Sequence, residues 1–273
     1  MNSSKRPGES LYTEEELNGT TAVKKPREDE VAKKEEAKNG NLVSEAAKTT
    51  HTGLADVLHA YGARRGERED MQDAHLALSR FELANLTSLK RSSLFAIFDG
   101  HAGARAAEFC EKRVAATLRQ KLSSYSELAV MEKGLKKAFT ESFKTIDEAF
   151  LNAARQTKPV WKDGTTITTM LVLNNVLYVA NLGDSKAVVA RTRPDGTLSA
   201  ICLTVDHNPT VFEERMRIQK TGATVKDGRV NGVIEVSRSI GDGPFKSLGV
   251  TCLPDMKKLT MTENDRFFRL LFF

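Results

Sequence analysis

The stretch that decides the fold is residues 93–105, SLFAIFDGHAGAR, which opens with an apolar run that stops at Asp99. The short run and the glycine after it favour a buried strand over a helix. A carboxylate at the end of a rigid strand suits a hard metal ion, and Gly100 lets the backbone approach closely enough to offer its carbonyl. His101 adds an acid–base group two residues away. An ordinary strand–turn–helix junction, with the aspartate as helix cap, explains the same residues.

The composition indicates one or two globular domains, because 40% of the 273 residues are hydrophobic and 28% are charged. The three cysteines form no CxxC pair, which favours a reducing compartment over a disulfide framework or structural zinc. No apolar run approaches the roughly 20 residues of a membrane helix. The N-terminus lacks the apolar core of a secretory signal. We therefore expect a cytoplasmic protein that does not contact a membrane.

Residues 1–53 differ in composition from the rest, being rich in Lys, Glu, Ser, Thr and Asn. They are predicted to be a disordered charged tail, and residues 54–273 are predicted to form the folded domain. The cluster Lys24–Arg27 is either a nuclear import signal, which would add a nuclear location, or part of an inert charged tail. The net charge of +5 is compatible with an anionic substrate. No basic stripe interleaved with aromatic residues is present, so nucleic acid is not an expected partner.

The pattern along the folded part predicts long helices and successive short strands. Residues 103–122 and 126–154 carry apolar residues at helical spacing, and residues 58–64 and 74–80 are predicted to be short strands. Further strands follow, joined by tight turns. Strands joined in this way form antiparallel sheets, and the long helices are separate from them. The expected class is therefore α+β, with layered sheets and helices.

Three more segments carry candidate functional side chains. Arg68 can grip a phosphate with its planar guanidinium, and Asp73 can reach a metal directly or through water. Asp184 lies in a tight turn between two strands, and residues 236–242 form a polar turn. Each also has a plain structural explanation: an exposed charged loop, an Asx turn or a connecting turn. Taken together, aspartates at strand ends without a Cys or His cluster favour Mg²⁺ or Mn²⁺, and two such ions can clamp a phosphate.

Six motifs in a fixed order give the chain a specific resemblance. They are REDMQDAH (68–75), FDGHAG (98–103), NLGDSKA (181–187), DHNP (206–209), ERMRIQKTGATV (214–225) and RVNGVIEVSRSIGD (229–242). In this order the chain resembles the metal-dependent protein phosphatases of the PPM type, also called protein phosphatase 2C, over most of residues 57–265. The resemblance implies an αββα sandwich of two antiparallel sheets flanked by helices. It also implies hydrolysis of phosphoserine and phosphothreonine at a centre of two Mn²⁺ or Mg²⁺ ions.

The resemblance also implies roles for individual residues. Asp99 would bridge the two ions, Gly100 would bind one through its carbonyl, Asp73 would support the metal shell, and Asp184 would help bind a weaker third ion. The remaining family roles concern the substrate. They fall on Arg68, which would hold the phosphate, and on His101, which would protonate the leaving oxygen as general acid. Gln72 replaces a glutamate that some members have beside Asp73.

Expected partners also follow from the resemblance. They are phosphorylated protein substrates, and the chain is expected to be a monomer. Three segments, ARRGEREDMQDAH, KPVWKDGTT and ERMRIQKTGATVKDGRV, resemble the branch of the family that associates with integrin-linked kinase. Integrin-linked kinase or its complex is therefore an expected partner.

The C-terminal residues depart from the family pattern. After NDRF the family continues with an apolar strand, an Asp-Gly pair and later an Asp-Asn motif, whereas this chain reads FFRLLFF to Phe273. We therefore expect a domain that is truncated at the C-terminus, lacks two metal carboxylates and is impaired in catalysis. The alternative function is that of an inactive, phosphatase-like binding protein. The apolar tail is predicted either to be uncovered and prone to aggregation or to fill the place of the missing strand.

Overall fold

The computed structural model describes residues 57–272. The helices are α1 (Arg105–Leu122), α2 (Leu128–Arg155), α3 (Phe212–Lys220) and α4 (Gly243–Lys246). The strands are β1 (Ala74–Leu78), β2 (Ser92–Phe98), β3 (Gly100–His101), β4 (Gly164–Thr165), β5 (Ile167–Leu173), β6 (Val176–Leu182), β7 (Lys186–Thr192), β8 (Leu198–Cys202), β9 (Val225–Lys226), β10 (Arg229–Val230), β11 (Ile240–Gly241), β12 (Asp255–Thr260) and β13 (Asp265–Leu271). The predicted tail of residues 1–53, with its Lys24–Arg27 cluster, lies outside the described residues.

The largest sheet has five antiparallel strands in the order β1-β2-β5-β6-β12. Its central strand β5 is buried along its whole length, which matches its unbroken apolar and threonine-rich sequence. Strands β5 and β6 form a hairpin whose turn contains Asn174 in a left-handed conformation, with φ of 50°. Asparagine tolerates that conformation well, so the Asn-Asn pair marks the turn, as the sequence predicts.

A second sheet packs against the first and has the order β13-β7-β8. Alternate residues of its strands, among them Val189, Phe268 and Leu270, join a core that lies between the two sheets. The opposite face is partly open, with Leu198 and Phe267 each about half exposed. The remaining strands of the described residues form two small sheets, with the orders β11-β4-β3 and β10-β9.

Helices α1 and α2 cover the other face of the five-stranded sheet. Their buried stripes, which include Val114, Leu118, Phe139 and Phe150, are almost fully inaccessible and form the main core with that sheet. The order of layers is therefore helix, sheet, sheet. The predicted α+β class with antiparallel sheets is confirmed. Helix α3 packs in a separate small cluster with residues of the β9–β10 region. No helix in residues 57–272 is long and apolar enough to cross a membrane.

Two local predictions have clear outcomes. The strand predicted over residues 58–64 is wrong: this segment has no strand pairing, and Leu58 is 86% exposed. Its few apolar residues do not alternate in a way that would give a strand a buried face.

The apolar C-terminal segment is a paired strand. Six residues of β13 pair with β7, and Arg191 Nε donates to Asp265 Oδ1 at 2.7 Å, which fixes the register. Of the two alternatives predicted for this segment, the described residues support the one in which it fills a strand position. The prediction of an uncovered tail is therefore wrong for residues 265–271.

Candidate active site

Strand pairing brings three aspartates to one end of the five-stranded sheet. Asp73 precedes β1 and Asp99 follows β2, and these strands pair so that Ala74 lies opposite Phe98. Strand β5 joins β2 to β6, and Asp184 follows β6 at the same end. We call Asp73, Asp99 and Asp184 the Asp99 cluster.

The backbone around Asp99 is held from both sides. The Thr166 N–H donates to the Asp99 carbonyl at 3.0 Å, and the Thr165 hydroxyl donates to the same oxygen at 3.0 Å. Gly100 packs so tightly that a side chain there would collide with the carbonyl of Gln72. The backbone that carries the carboxylate at the strand end is therefore held in position.

Burial raises the pKa values of all three carboxylates of the cluster. Burial, together with the negative charges of Asp73 and Asp184, raises the pKa of Asp99 to about 7. Burial also raises the pKa of Asp73, although the Gly100 N–H and Arg68 act against it. The pKa of Asp184 is raised by burial and by Asp206. Residues whose pKa values are raised together at the edge of a cleft are candidates for a functional site.

His101 pairs with a residue far away in the sequence. Its Nε2 lies 2.7 Å from Oδ2 of Asp242, which also accepts from the Ser239 hydroxyl at 2.5 Å. Asp242 is 2% exposed and has a φ of 51°, and its N–H donates to the carbonyl of Asp163. Burial alone would lower the pKa of His101, but the bond to Asp242 and the charge of Asp99 raise it. The protonated imidazole is thus stabilised.

Gly164 is the contact point between strand β4 and this pair. A side chain at Gly164 would collide with both the His101 ring and the Asp242 carboxylate. Only a residue without Cβ therefore lets β4 pass beside the pair.

These side chains open onto a cleft of about 750 Å³. One wall carries the strand ends, and the other is formed by the β9–β10 region and the residues around α4. The lining residues include Arg68, Gln72, Asp99, Gly100, His101, Lys162, Asp184, Arg229, Val233, Glu235, Asp242 and Phe245. Arg68 is exposed at the rim and acts electrostatically on Asp99. Asp73 is not among the lining residues, and it accepts the Gly100 N–H beside the cleft.

Oxygen donors fit a hard divalent cation. The Asp99 cluster offers carboxylates and Gly100 a carbonyl, and the repulsion that raises the pKa of Asp99 is the kind that a cation relieves. Within residues 57–272, however, no three acidic, His or Cys side chains come close enough together to hold an ion. The donor set therefore fits Mg²⁺ or Mn²⁺ bound by one or two carboxylates, with water completing the shell.

Five of the six residues predicted from the sequence to form the site line the cleft, and the sixth, Asp73, adjoins it. No role was predicted for Asp242, Asp163 or Lys162. Asp242 carried one signal, an aspartate directly after a glycine in a polar turn. Nothing in the local sequence links that aspartate to His101, which lies 141 residues away.

Comparisons with known proteins show the family. A family model described as protein phosphatase 2C matches residues 57–271. The integrin-linked kinase-associated serine/threonine phosphatase 2C of Homo sapiens is 45% identical over 242 residues, which make up 86% of this chain and 62% of that protein. Protein phosphatase 2C 1 of Paramecium tetraurelia is 34% identical over 238 residues, covering 81% of this chain and 73% of that protein. The chain thus spans less than two thirds of the integrin-linked kinase-associated relative.

Solved structures show the same fold. Serine-threonine phosphatase 2C from Toxoplasma gondii superposes with a TM-score of 0.59 at 19% identity, covering 72% of this chain and 76% of that one. A sex determining protein of C. elegans gives a TM-score of 0.62 at 23% identity and covers 75% of this chain and 48% of that one. The cleft with its strand-end aspartates thus lies in a fold that these proteins share, and the chain belongs to the protein phosphatase 2C family.

Proposed function

We propose that this chain is a protein phosphatase that hydrolyses phosphoserine and phosphothreonine with the help of Mn²⁺ or Mg²⁺. The observation that carries the proposal is the Asp99 cluster at one sheet end, where burial and the charges of Asp73 and Asp184 raise the pKa of Asp99 to about 7, beside Arg68 and His101. A site that concentrates negative charge in this way is suited to cations, and cations in turn suit a phosphate.

The chain's residues would hold the ions as follows. Asp99 would bridge two ions, Gly100 would offer its carbonyl, and Asp73 would support the shell. Asp184, at the mouth, would help to hold a weaker third ion. When bound, such ions would neutralise the phosphate and activate water. The contribution of the fold is to keep the Asp99 backbone fixed through its bonds to Thr166, which favours a constant geometry.

Arg68 and His101 would act on the substrate itself. The guanidinium of Arg68 is exposed at the rim, where it can bind two phosphate oxygens. His101 has a raised pKa, so it carries a proton over more of the neutral range. It would donate that proton to the leaving seryl or threonyl oxygen, while Asp242 holds the ring from the other side.

Proteins that carry phosphoserine or phosphothreonine are the proposed substrates. The relative in Homo sapiens is named for its association with integrin-linked kinase. On that ground, integrin-linked kinase or its complex is a proposed partner of this chain. The cytoplasmic or nuclear location and the monomeric state stay predictions from the sequence.

A second candidate is a phosphatase-like protein that binds phosphorylated partners without turnover. It is favoured by the absence, within residues 57–272, of three ligand side chains close enough to share an ion. Loosely held ions would slow the reaction, because misplacing reacting groups by about 1 Å can cost on the order of 10²-fold in rate. We therefore propose that turnover by this chain alone is impaired.

The test is phosphate release from a phosphothreonine peptide with and without Mn²⁺. We expect slow, Mn²⁺-dependent release by the unaltered chain and none by Asp99→Ala. Asp195→Ala, which removes an exposed turn aspartate far from the cleft residues, should behave like the unaltered chain. Release that does not depend on Mn²⁺ or on Asp99 would exclude the proposed centre. Peptide binding with no release at all would support the second candidate.

A further inference from the structure

Lys162 is a cationic side chain of the cleft that the proposed chemistry does not use. It lines the cleft and is exposed. Within residues 57–272 it has neither a hydrogen bond nor an ion pair. The other lining cations differ, because Arg229 pairs with Glu235 and Arg68 interacts with the Asp99 cluster. The charge of Lys162 is therefore available to a ligand.

The backbone around Lys162 is held firmly on both sides. The preceding Trp161 packs against the main core, with its ring centroid 6.1 Å from that of Phe150. The Arg105 guanidinium lies 5.3 Å from the Trp161 ring centroid. The following Asp163 is 1% exposed and forms an ion pair with Arg105 at 3.0 Å. Both flanking side chains are thus held by contacts with other parts of the fold, whereas the Lys162 side chain lines the cleft.

Lys162 also lies near the proposed reacting centre. Gly164, two residues further on, touches the His101–Asp242 pair. Because consecutive Cα atoms are about 3.8 Å apart, the Cα of Lys162 lies at most about 8 Å from that of Gly164, whatever the conformation of the segment. A peptide whose phosphorylated residue lies beside His101 would place its neighbouring side chains within reach of Lys162.

We propose that Lys162 determines specificity by binding an anionic group, a carboxylate or a second phosphate, next to the phosphorylated residue of the substrate. The inference rests on the proposed function, since it assigns a substrate class to the same cleft. The cleft lining also carries four carboxylates, those of Asp99, Asp184, Asp242 and Glu235. An acidic flank is repelled near these carboxylates and attracted at Lys162, which makes the preference local.

The test measures binding, so that it does not depend on turnover. Fluorescent peptides carry a non-hydrolysable phosphonate in place of phosphothreonine, and their Kd is measured by anisotropy in the presence of Mn²⁺. One peptide has alanine flanks. Others carry glutamate or phosphoserine at one of the two positions before or after the phosphonate. We expect at least one glutamate peptide to bind about three- to fivefold tighter than the alanine peptide, as is typical of a partly screened ion pair.

Variants identify Lys162 as the cause. Lys162→Ala should remove the preference for glutamate, Lys162→Glu should reverse it, and Lys162→Arg should retain it. Lys133→Ala, a matched change of an exposed lysine on α2, should leave it unchanged. A phosphoserine flank that is preferred over glutamate at the same position would identify a second phosphate as the better ligand.

The outcomes separate the inference from the proposed function. If the unaltered chain binds all peptides equally, or binds none, the inference is wrong. It is also wrong if Lys162→Ala keeps the preference. If the preference is present but no phosphate is ever released from a hydrolysable peptide, the specificity role stands and the proposed hydrolysis does not. If phosphate is released from p-nitrophenyl phosphate but no flank preference is found, the proposed hydrolysis stands and the specificity role does not.

Discussion

Two groups of carboxylates in this protein have opposite electrostatic surroundings. In the Asp99 cluster, burial and like charges raise the pKa of Asp99 to about 7. Glu214 on α3 is 2% exposed and accepts hydrogen bonds from Arg217 at 2.6 and 2.8 Å, from Arg238 at 2.7 Å and from Ser237. We call these four residues the Glu214 network.

The difference shows which carboxylates serve stability. Burial alone would raise the pKa of Glu214, but its bonds to Arg217, Arg238 and Ser237 hold that pKa well below its usual range. The Glu214 network is thus electrostatically complete without any ligand. The Asp99 cluster keeps a charge imbalance that a bound cation or a proton can relieve, and such an imbalance is typical of functional sites.

The largest effect on stability should come from the Glu214 network. Glu214→Ala leaves Arg217 and Arg238 without their carboxylate, and removing one partner of a buried ion pair costs about 3 kcal/mol of unfolding free energy. Urea denaturation measures this change. The neighbouring Glu213→Ala, on the exposed side of α3, should change the unfolding free energy by less than about 0.5 kcal/mol. If both variants lost the same unfolding free energy, the Glu214 network would have no special role in stability.

At the cleft, loss of His101 or of Arg68 should change the kinetics of the reaction. His101→Gln should lower kcat by about 10²-fold with little change in KM, because proton donation matters in the transition state. Arg68→Ala should instead raise KM by about tenfold, since it removes charge-assisted bonds to the ground-state phosphate. Steady-state kinetics on a phosphopeptide, relative to the unaltered chain, measures both. A reversed pattern would mean that the two roles are exchanged.

Neutralising the Asp99 cluster should stabilise the fold while it removes activity. In metal-free protein at neutral pH, Asp99→Asn relieves repulsion with Asp73 and Asp184, for a gain on the order of 1 kcal/mol. Thermal unfolding in a chelator measures the gain. Asp195→Asn is the control, because the pKa of Asp195 is lowered by its bonds to Thr197 and the change should bring no gain. Destabilisation by Asp99→Asn would show that the cluster is not strained.

The contributions of Asp99 and Glu214 to the unfolding free energy should also change with pH in opposite directions, and these are the smallest effects expected. The folded chain holds a proton on Asp99 more tightly than the unfolded chain does. The Asp99 contribution to stability is therefore present below about 4 and is lost as the pH rises from 3.8 to about 7. The Glu214 contribution is present above about 4.5 and is lost as the pH falls below that value. Unfolding of metal-free protein across pH 3 to 8 shows these slopes as differences between the unaltered chain and Asp99→Asn or Glu214→Gln.

Most of the layered fold was predictable because its signals are local. Apolar runs that end in Asp-Gly or Gly-Asp placed Asp99 and Asp184 at strand ends, and antiparallel pairing then brought them together. Helical spacing gave α1 and α2 to within two residues at each end. The strand predicted over residues 58–64 failed, because a few apolar residues without a buried partner surface do not make a strand.

The pairing of His101 with Asp242 was not predictable from local pattern. It depends on contacts between β3, β4 and β11, each of which is only two residues long. Strands of that length carry no periodicity to recognise. The exposure of Lys162 is of the same kind, since it follows from how Trp161 and Asp163 are buried on either side.

Gly164 has a consequence for how natural variation in this protein should be interpreted. The volume that a Cβ would occupy at Gly164 is already filled by His101 Nε2 and Asp242 Oδ2. Even the smallest substitution, to alanine, therefore displaces one of these side chains. In a saturation mutagenesis screen this position should score as poorly as Asp99, although glycine contributes no chemical group to the reaction. A pathogenicity ranking that weighs only reactive side chains would therefore overlook it.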